Sequence, residues 1–154
     1  MRMITKKNAF TFVELILIVL LLGIVAAICI PRLNFAVVSN QKAECLVSKI
    51  VTDLRRTRTL AISNAANNTA GFALNVVGSA PNLSYEIVNL DTETTVDSYI
   101  IDSDINCTGG HQFEFAPSGN LLGGSDTELN VAGDGVSFTI TIVSATGMVK
   151  YTED

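Results

Sequence analysis

The sequence predicts an α+β protein in which a long N-terminal helix packs on an antiparallel β-sheet domain. Residues 10–30 form an almost uninterrupted apolar run, residues 31–64 repeat apolar side chains every three or four positions, and later residues alternate apolar with polar. The 154 residues leave room for one domain of ordinary size. A hydrophobic content of 48% with 16% charged residues excludes a disordered chain.

The apolar run begins at Phe10 and ends at Ile30, with only Thr11, Glu14 and Gly23 interrupting it. At about 1.5 Å per helical residue, its 21 residues could cross a hydrocarbon core of about 30 Å. The run therefore predicts a transmembrane helix.

Basic residues before the run predict its orientation. Arg2, Lys6 and Lys7 should hold the N-terminus in the cytoplasm and send the remaining chain outward. A removable secretory signal has an apolar stretch of about 7–15 residues followed by small residues. Here the run is longer and ends in Ile28, Cys29 and Ile30, with Pro31 next, so we expect it to stay in the protein.

Glu14 is the one charged residue inside the apolar run. A carboxylate at the middle of a bilayer costs about 2.5–3.5 kcal/mol, so it needs a partner. A cut between Ala9 and Phe10 would create an ammonium group four residues before Glu14, one helical turn away. The alternative is that Glu14 lies near the interface, with its carboxylate among the lipid headgroups.

Residues 6–15, KKNAFTFVEL, resemble the class III signal of type IV pilins and pseudopilins. The resemblance implies cleavage between Ala9 and Phe10 by a prepilin peptidase, and N-methylation of Phe10. It also assigns assembly roles to Glu14 and Pro31. Ala9 stands where the family nearly always has glycine. The family keeps the apolar segment in the mature protein, so residues before Phe10 would form the leader, 1–9.

The segment from Pro31 to Asn64 predicts an amphipathic helix that continues the apolar one. Pro31 lacks a backbone donor and should bend the helix there. Lys49 with Asp53, and Asp53 with Arg56, have the spacing of helix-surface ion pairs. The predicted buried face comprises Phe35, Val38, Ala43, Leu46, Val47, Ile50, Leu54, Ala61 and Ala65.

The apolar period changes to two after Gly71, which predicts a β-rich domain over residues 71–154. The predicted strands are 72–77, 84–90, 95–101, 112–115, 128–131, 136–143 and 147–151. Short antiparallel strands cannot bury both sheet faces by themselves, so the amphipathic helix should cover one face.

Two further segments resemble one branch of the pilin-like proteins. Residues 54–62, LRRTRTLAI, are similar to the LRxARxxAI signature of GspH/FimT-type pseudopilins. Residues 113–120, FEFAPSGN, and 138–150, FTITIVSATGMVK, resemble that family's F-x-P-x-G turn and closing strand pair. The resemblance implies a type IV pilin-like fold and a minor subunit, either of a type II secretion pseudopilus or in the priming of type IV pilus assembly.

Charge is divided unevenly along the chain. Residues 1–60 carry a net charge of +6, whereas residues 61–149 carry ten acidic residues and no Lys or Arg. A domain without basic residues cannot neutralise phosphates, so we expect no nucleic-acid partner. Arg55, Arg56 and Arg58 should pair instead with acidic groups of the domain or of neighbouring subunits.

The sequence offers little chemistry, and we expect no enzyme, cofactor or metal. His111 is the only histidine, and no nucleophile elbow or phosphate-binding loop is present. Residues 102–106 open like a calcium loop, but Cys107 and Phe113 stand at the positions of the loop's glycine and glutamate. Cys45 and Cys107 could form a disulfide if their Cα atoms lie within about 7 Å, a distance that sequence does not set.

The resemblance also implies a location and partners. It predicts a single-pass protein of the bacterial inner membrane, with a cytoplasmic N-terminus and a periplasmic domain that joins a pseudopilus. The expected partners are other pilin or pseudopilin subunits, the prepilin peptidase, the inner-membrane assembly platform and the membrane. An adhesion or DNA-uptake subunit would need a basic or aromatic patch that the sequence does not show. A membrane-anchored β domain unrelated to filaments would keep residues 1–9.

Overall fold

The computed structural model describes residues 11–29, 35–79 and 81–154, and it confirms the α+β class. Two compact units divide the chain between Phe35 and Ala36. The helices are α1, Phe12–Cys29, and α2, Phe35–Ser63. The strands are β1 Phe72–Ser79, β2 Asn82–Asn89, β3 Thr94–Ile100, β4 Asn106–Gly109, β5 Gln112–Phe115, β6 Glu128–Ala132, β7 Ser137–Val143 and β8 Met148–Glu153.

Helix α1 is apolar on all sides. It begins after Thr11, whose hydroxyl accepts the Glu14 backbone N–H at 3.3 Å, as expected of a capping threonine. Within residues 11–29, 35–79 and 81–154, no helix meets the length and hydropathy that crossing a membrane requires. The membrane-spanning half of the predicted helix therefore stays a prediction, as does the bend at Pro31, which lies outside the described residues.

Helix α2 is amphipathic and buries one face in the second unit. The buried apolar positions are Ala43, Leu46, Val47, Ile50, Val51, Leu54 and Ala61. Phe35 lies outside the residues whose burial is described, and two of the other predicted positions are wrong. Val38 is 52% exposed because its neighbour Ser39, four residues before Ala43, occupies the buried face instead. Ala65 is exposed because the helix ends at Ser63, before this residue.

The strands form two four-stranded antiparallel sheets, which the sequence did not resolve. The first sheet has the order β3-β2-β1-β5 and the second β4-β6-β7-β8. Strand β4 was not predicted, because Asn106–Gly109 carries a single apolar side chain and follows an acidic turn. The other seven strands agree with prediction to within two residues at each end.

One hydrophobic core joins α2 with both sheets. The first sheet contributes Leu74, Tyr85 and Phe113, and the second contributes Leu129 and Ile140, each fully buried or nearly so. The alternating burial along β2 of the first sheet and β7 of the second shows that each sheet turns one face inward. Around this core, polar side chains at the edges of α2 form hydrogen bonds and ion pairs with the strands and turns.

Candidate assembly surfaces

Helix α1 presents the largest apolar surface of the described chain. Every described side chain from 11 to 28 is exposed, and its large hydrophobic residues are between 44% and 78% exposed. Exposed apolar patches of this extent mark surfaces that bind lipid or protein. Helix α1 is therefore the first candidate for an assembly surface.

Glu14 lies at the N-terminal end of this surface, in the first turn of α1. The residues Thr11, Phe12, Val13 and Glu14 form a capping-box sequence, in which Glu14 is the third helical residue. Its position at the helix N-terminus favours a carboxylate through the macrodipole. Among the other predicted site residues of this segment, Ala9, Phe10 and Pro31 lie outside the described residues.

Arg58 brings together the segments that carry the GspH/FimT resemblance. Its Nε donates a hydrogen bond of 2.9 Å to the carbonyl oxygen of Gly119, in the predicted F-x-P-x-G turn. Gly147, in the predicted closing pair, lies so close that an added Cβ would sit 2.0 Å from that oxygen. These three residues, 61 and 28 positions apart along the chain, therefore form one junction between α2 and two turns.

The neighbouring arginines also bind the domain. Arg55 Nη2 donates to the Val149 carbonyl oxygen at 3.2 Å, and Arg56 Nη1 lies 2.6 Å from the Asp97 carboxylate. The prediction that arginines pair with acidic groups of the domain is confirmed for Arg56. Within the domain, Arg55 and Arg58 bind backbone carbonyls rather than carboxylates, and pairing with neighbouring subunits stays a prediction.

A polar cluster lies where α2 meets the first sheet. The Tyr85 hydroxyl donates to Asp53 Oδ2 at 2.5 Å, and Lys49 Nζ lies 3.1 Å from the same oxygen. Lys49 also lies 4.6 Å from the centre of the Tyr99 ring. Burial, and then the hydrogen bond to Asp53, raises the pKa of Tyr85 far above its ordinary value. The predicted Lys49–Asp53 pair is confirmed, whereas Arg56 pairs with Asp97 rather than with Asp53.

The acidic turn that resembles a calcium loop binds a lysine. Lys42 Nζ lies 2.9 Å from the Asp102 carboxylate and 3.0 Å from that of Asp104. This contact raises the pKa of Lys42, chiefly through Asp102, and lowers that of Asp102. Both carboxylates thus bind the Lys42 ammonium group, which compensates the negative charge that would otherwise attract a metal cation.

The two cysteines of the domain are free thiols. Cys45 is exposed on α2, and Cys107 is buried in β4. Burial raises the pKa of the Cys107 thiol to about 11, which keeps it protonated and unreactive at neutral pH. The disulfide that the sequence left open is therefore absent here. Cys45 lines a groove of about 370 Å³ together with Lys42, Lys49 and Tyr99.

One acidic side chain of the domain, Asp126, binds the backbone. Asp126 Oδ2 accepts the backbone N–H groups of His111 and Gln112, at 2.7 and 3.0 Å, which lowers its pKa. Its role is to hold the start of β5. His111 contributes its backbone to this contact and is exposed, as expected for a surface residue.

Sequence patterns did not predict the contact between Tyr85 and Asp53 or the meeting of residues at the Arg58 junction. Tyr85 was predicted as an ordinary strand residue, and nothing in its strand marks it as the partner of Asp53. The motif match did point to Arg58, Gly119 and Gly147 separately. The helical repeat of α2 places Asp53 on its buried side. Because a buried carboxylate needs a hydrogen-bond donor, this placement could have predicted that a donor faces Asp53.

Comparisons of the chain with family models, with curated proteins and with solved structures found no match.

Proposed function

We propose that the protein is a minor pilin-like subunit of a type IV filament machine, acting in the pseudopilus of a type II secretion system. The exposed apolar surface of α1 carries this proposal. Apolar surface left in water costs about 25 cal/mol per Å², so a helix of this kind needs a permanent cover. Membrane lipid would supply it before assembly, and the apolar helices of other subunits would supply it afterwards.

The domain supports the same proposal through the Arg58 junction. Short motif matches can arise by chance, but chance matches have no reason to meet in space. Here the helix signature, the proline-glycine turn and the closing strand pair meet at Arg58, Gly119 and Gly147. The resemblance therefore rests on residues that contact one another, as parts of one fold should.

In the proposed mechanism, the N-terminal helices of several subunits associate into a bundle. Cleavage before Phe10 creates an ammonium group, and Glu14 of one subunit binds the ammonium of its neighbour, which fixes their axial register. The domain lies outside the bundle and selects the neighbouring subunits. After loss of residues 1–9 the chain would carry seven basic and fifteen acidic residues.

Processing is the first test of this proposal. Intact-mass analysis of the protein from its host should show the loss of residues 1–9 and one methyl group added to Phe10. Full-length protein in cells with an active prepilin peptidase would contradict the filament function, because every pilin-like subunit must be processed before assembly.

Glu14→Gln is the sharper test, because Glu14 also stands at the third position of a capping-box sequence, and that local role must be separated from assembly. Glutamine at this position of a capping box can still serve the helix N-terminus, so the variant removes charge and keeps the cap. Membrane insertion should be retained, since removing the charge lowers the transfer cost by about 2–3 kcal/mol. Recovery of partner subunits by co-purification should fall, because the neighbour's ammonium loses its counter-charge.

Thr11→Ala is the matched control. It weakens the cap by about 0.5–2 kcal/mol and leaves the Glu14 charge in place. We expect it to recover partner subunits normally. Normal recovery with Glu14→Gln would refute the register role. The partners recovered with the unaltered protein identify the machine: secretion pseudopilins support the proposal, and pilins alone would assign the protein to type IV pilus priming.

A further inference from the structure

Three Asn-x-Ser/Thr triplets occur in the chain, at residues 67–69, 82–84 and 106–108. In exported proteins, the asparagine of such a triplet is the acceptor for an N-linked glycan when it lies on the surface. All three asparagines are exposed, and all three middle residues are buried. The structure therefore decides which triplet presents both its amide and its hydroxyl.

The second triplet presents its hydroxyl poorly, and the first lies in a turn rather than in a strand, although Asn67 and Thr69 are both exposed. Ser84 is half-buried, and its hydroxyl donates to the Val77 carbonyl oxygen at 3.5 Å. Asn67 lies in the turn after α2, where its backbone N–H donates to the Asn64 carbonyl oxygen at 2.9 Å. In that turn, strand alternation does not hold Thr69 on the same side as Asn67.

The third triplet has the required geometry. Asn106 and Thr108 belong to β4, and side chains two apart on a strand point to the same face. Both are exposed, whereas Cys107 between them points into the core at 6% exposure. The buried Cys107 thus fixes the amide of Asn106 and the hydroxyl of Thr108 on the solvent side of the strand.

The place of β4 in the sheet makes this face accessible. It is an edge strand, paired only with β6 among the described strands. Its residues, Asn106–Gly109, carry no charge and no proline, the usual protections of an exposed strand edge. A glycan beside this edge would provide that protection, because a bulky polar group prevents another strand from pairing there.

We propose that Asn106 is an N-glycan acceptor. The inference rests on the proposed function in one respect, since it requires the domain to lie outside the cytoplasm. The donor would be a sugar linked to a lipid pyrophosphate, acted on by a membrane oligosaccharyltransferase. The Asn106 amide nitrogen forms a bond to the anomeric carbon, and the bond from that carbon to the pyrophosphate oxygen breaks. Lipid pyrophosphate leaves with the electron pair, and one amide proton passes to a base of the transferase.

Peptide mass spectrometry on the full chain, isolated from the envelope of its host, tests the site. We expect a sugar mass on the peptide that contains Asn106 in the unaltered protein. The modification should be lost in Asn106→Gln and in Thr108→Ala, and retained in Thr108→Ser, which keeps the hydroxyl. The near-UV circular dichroism of the tyrosines confirms that each variant is folded.

An unmodified Asn106, or sugar found only on Asn67 or Asn82, would overturn the inference. Intact mass on the same samples separates this result from a failure of the proposed function. Protein that has lost residues 1–9 but carries no sugar would leave the filament function standing. Protein that keeps residues 1–9 and carries sugar on Asn106 would support the glycan site and contradict the filament function.

Discussion

Gly147→Ala should destabilise the domain strongly, because the buried Gly147 packs into the Arg58 junction. Its φ of +63° lies in the left-handed region, where alanine costs about 1–2 kcal/mol. The added Cβ would lie 2.0 Å from the Gly119 carbonyl oxygen, so the turn must move. That movement breaks the hydrogen bond from Arg58 Nε, worth about 1.5–3 kcal/mol for a charged donor. The expected total is about 2.5–5 kcal/mol.

Gly124→Ala is the matched control. Gly124 also has a positive φ, +99°, but an added Cβ would meet nothing within 4 Å. It should therefore cost only the backbone part, about 1–2 kcal/mol. The difference between the two variants isolates the steric and hydrogen-bond contribution of the junction.

Urea unfolding of the full chain in mild detergent measures these costs. The protein has no tryptophan, and its three tyrosines all lie in the domain, so near-UV circular dichroism reports the domain alone. With a slope of about 1–3 kcal/mol per molar urea, the Gly147→Ala midpoint should fall by roughly 1–5 M. Equal midpoints for Gly147→Ala and Gly124→Ala would refute the reasoning. So would full additivity with Arg58→Ala, because the two changes should remove the same bond.

Two further predictions concern groups whose protonation the fold controls. Tyr85→Phe should remove a pH dependence: neutral Tyr85 is favoured in the folded state, so stability is complete below the unfolded pKa of about 10 and falls by about 1.4 kcal/mol per unit above it. Urea midpoints of both proteins between pH 8 and 11 check this, and parallel curves would contradict it. A thiol reagent at pH 8 should label Cys45 within minutes and Cys107 only after urea unfolding, because the Cys107 pKa is raised to about 11. Equal labelling rates by mass spectrometry would show that β4 opens readily.

The helices and strands were predicted well wherever apolar residues recur at one regular spacing. The helical repeat from Ala43 to Ala61 and the alternation of β7 both follow from one buried face, and both are confirmed. Strand β4 was missed because a four-residue edge strand needs only Cys107 in the core, too little for a periodic signal. The division into two sheets was also missed, since pairing between distant strands such as β1 and β5 leaves no local pattern.

The contacts of α2 were harder to predict than its buried face. Charge spacing on the helix predicted Asp53 with Arg56, but Tyr85 competes for Asp53 across the interface, and Asp97 offers Arg56 a closer carboxylate. Helix-surface pairs are worth only about 0.2–0.5 kcal/mol, so the contacts that Tyr85 and Asp97 make with α2 decide how its charged side chains pair. Such contacts depend on the strand register, which no helix-based rule contains.

The uneven charge of the chain has a physical explanation in the domain itself. Residues 61–149 contain no Lys or Arg, so any ion pair of their carboxylates within this unit must draw its cation from α2 or from the chain end. Lys42 and Arg56 supply such cations, to the turn at 102–104 and to β3 respectively. Misplaced docking of the helix would leave these carboxylates without a counter-charge while the sheets repel one another. The charge division therefore favours one position of α2 over the two sheets.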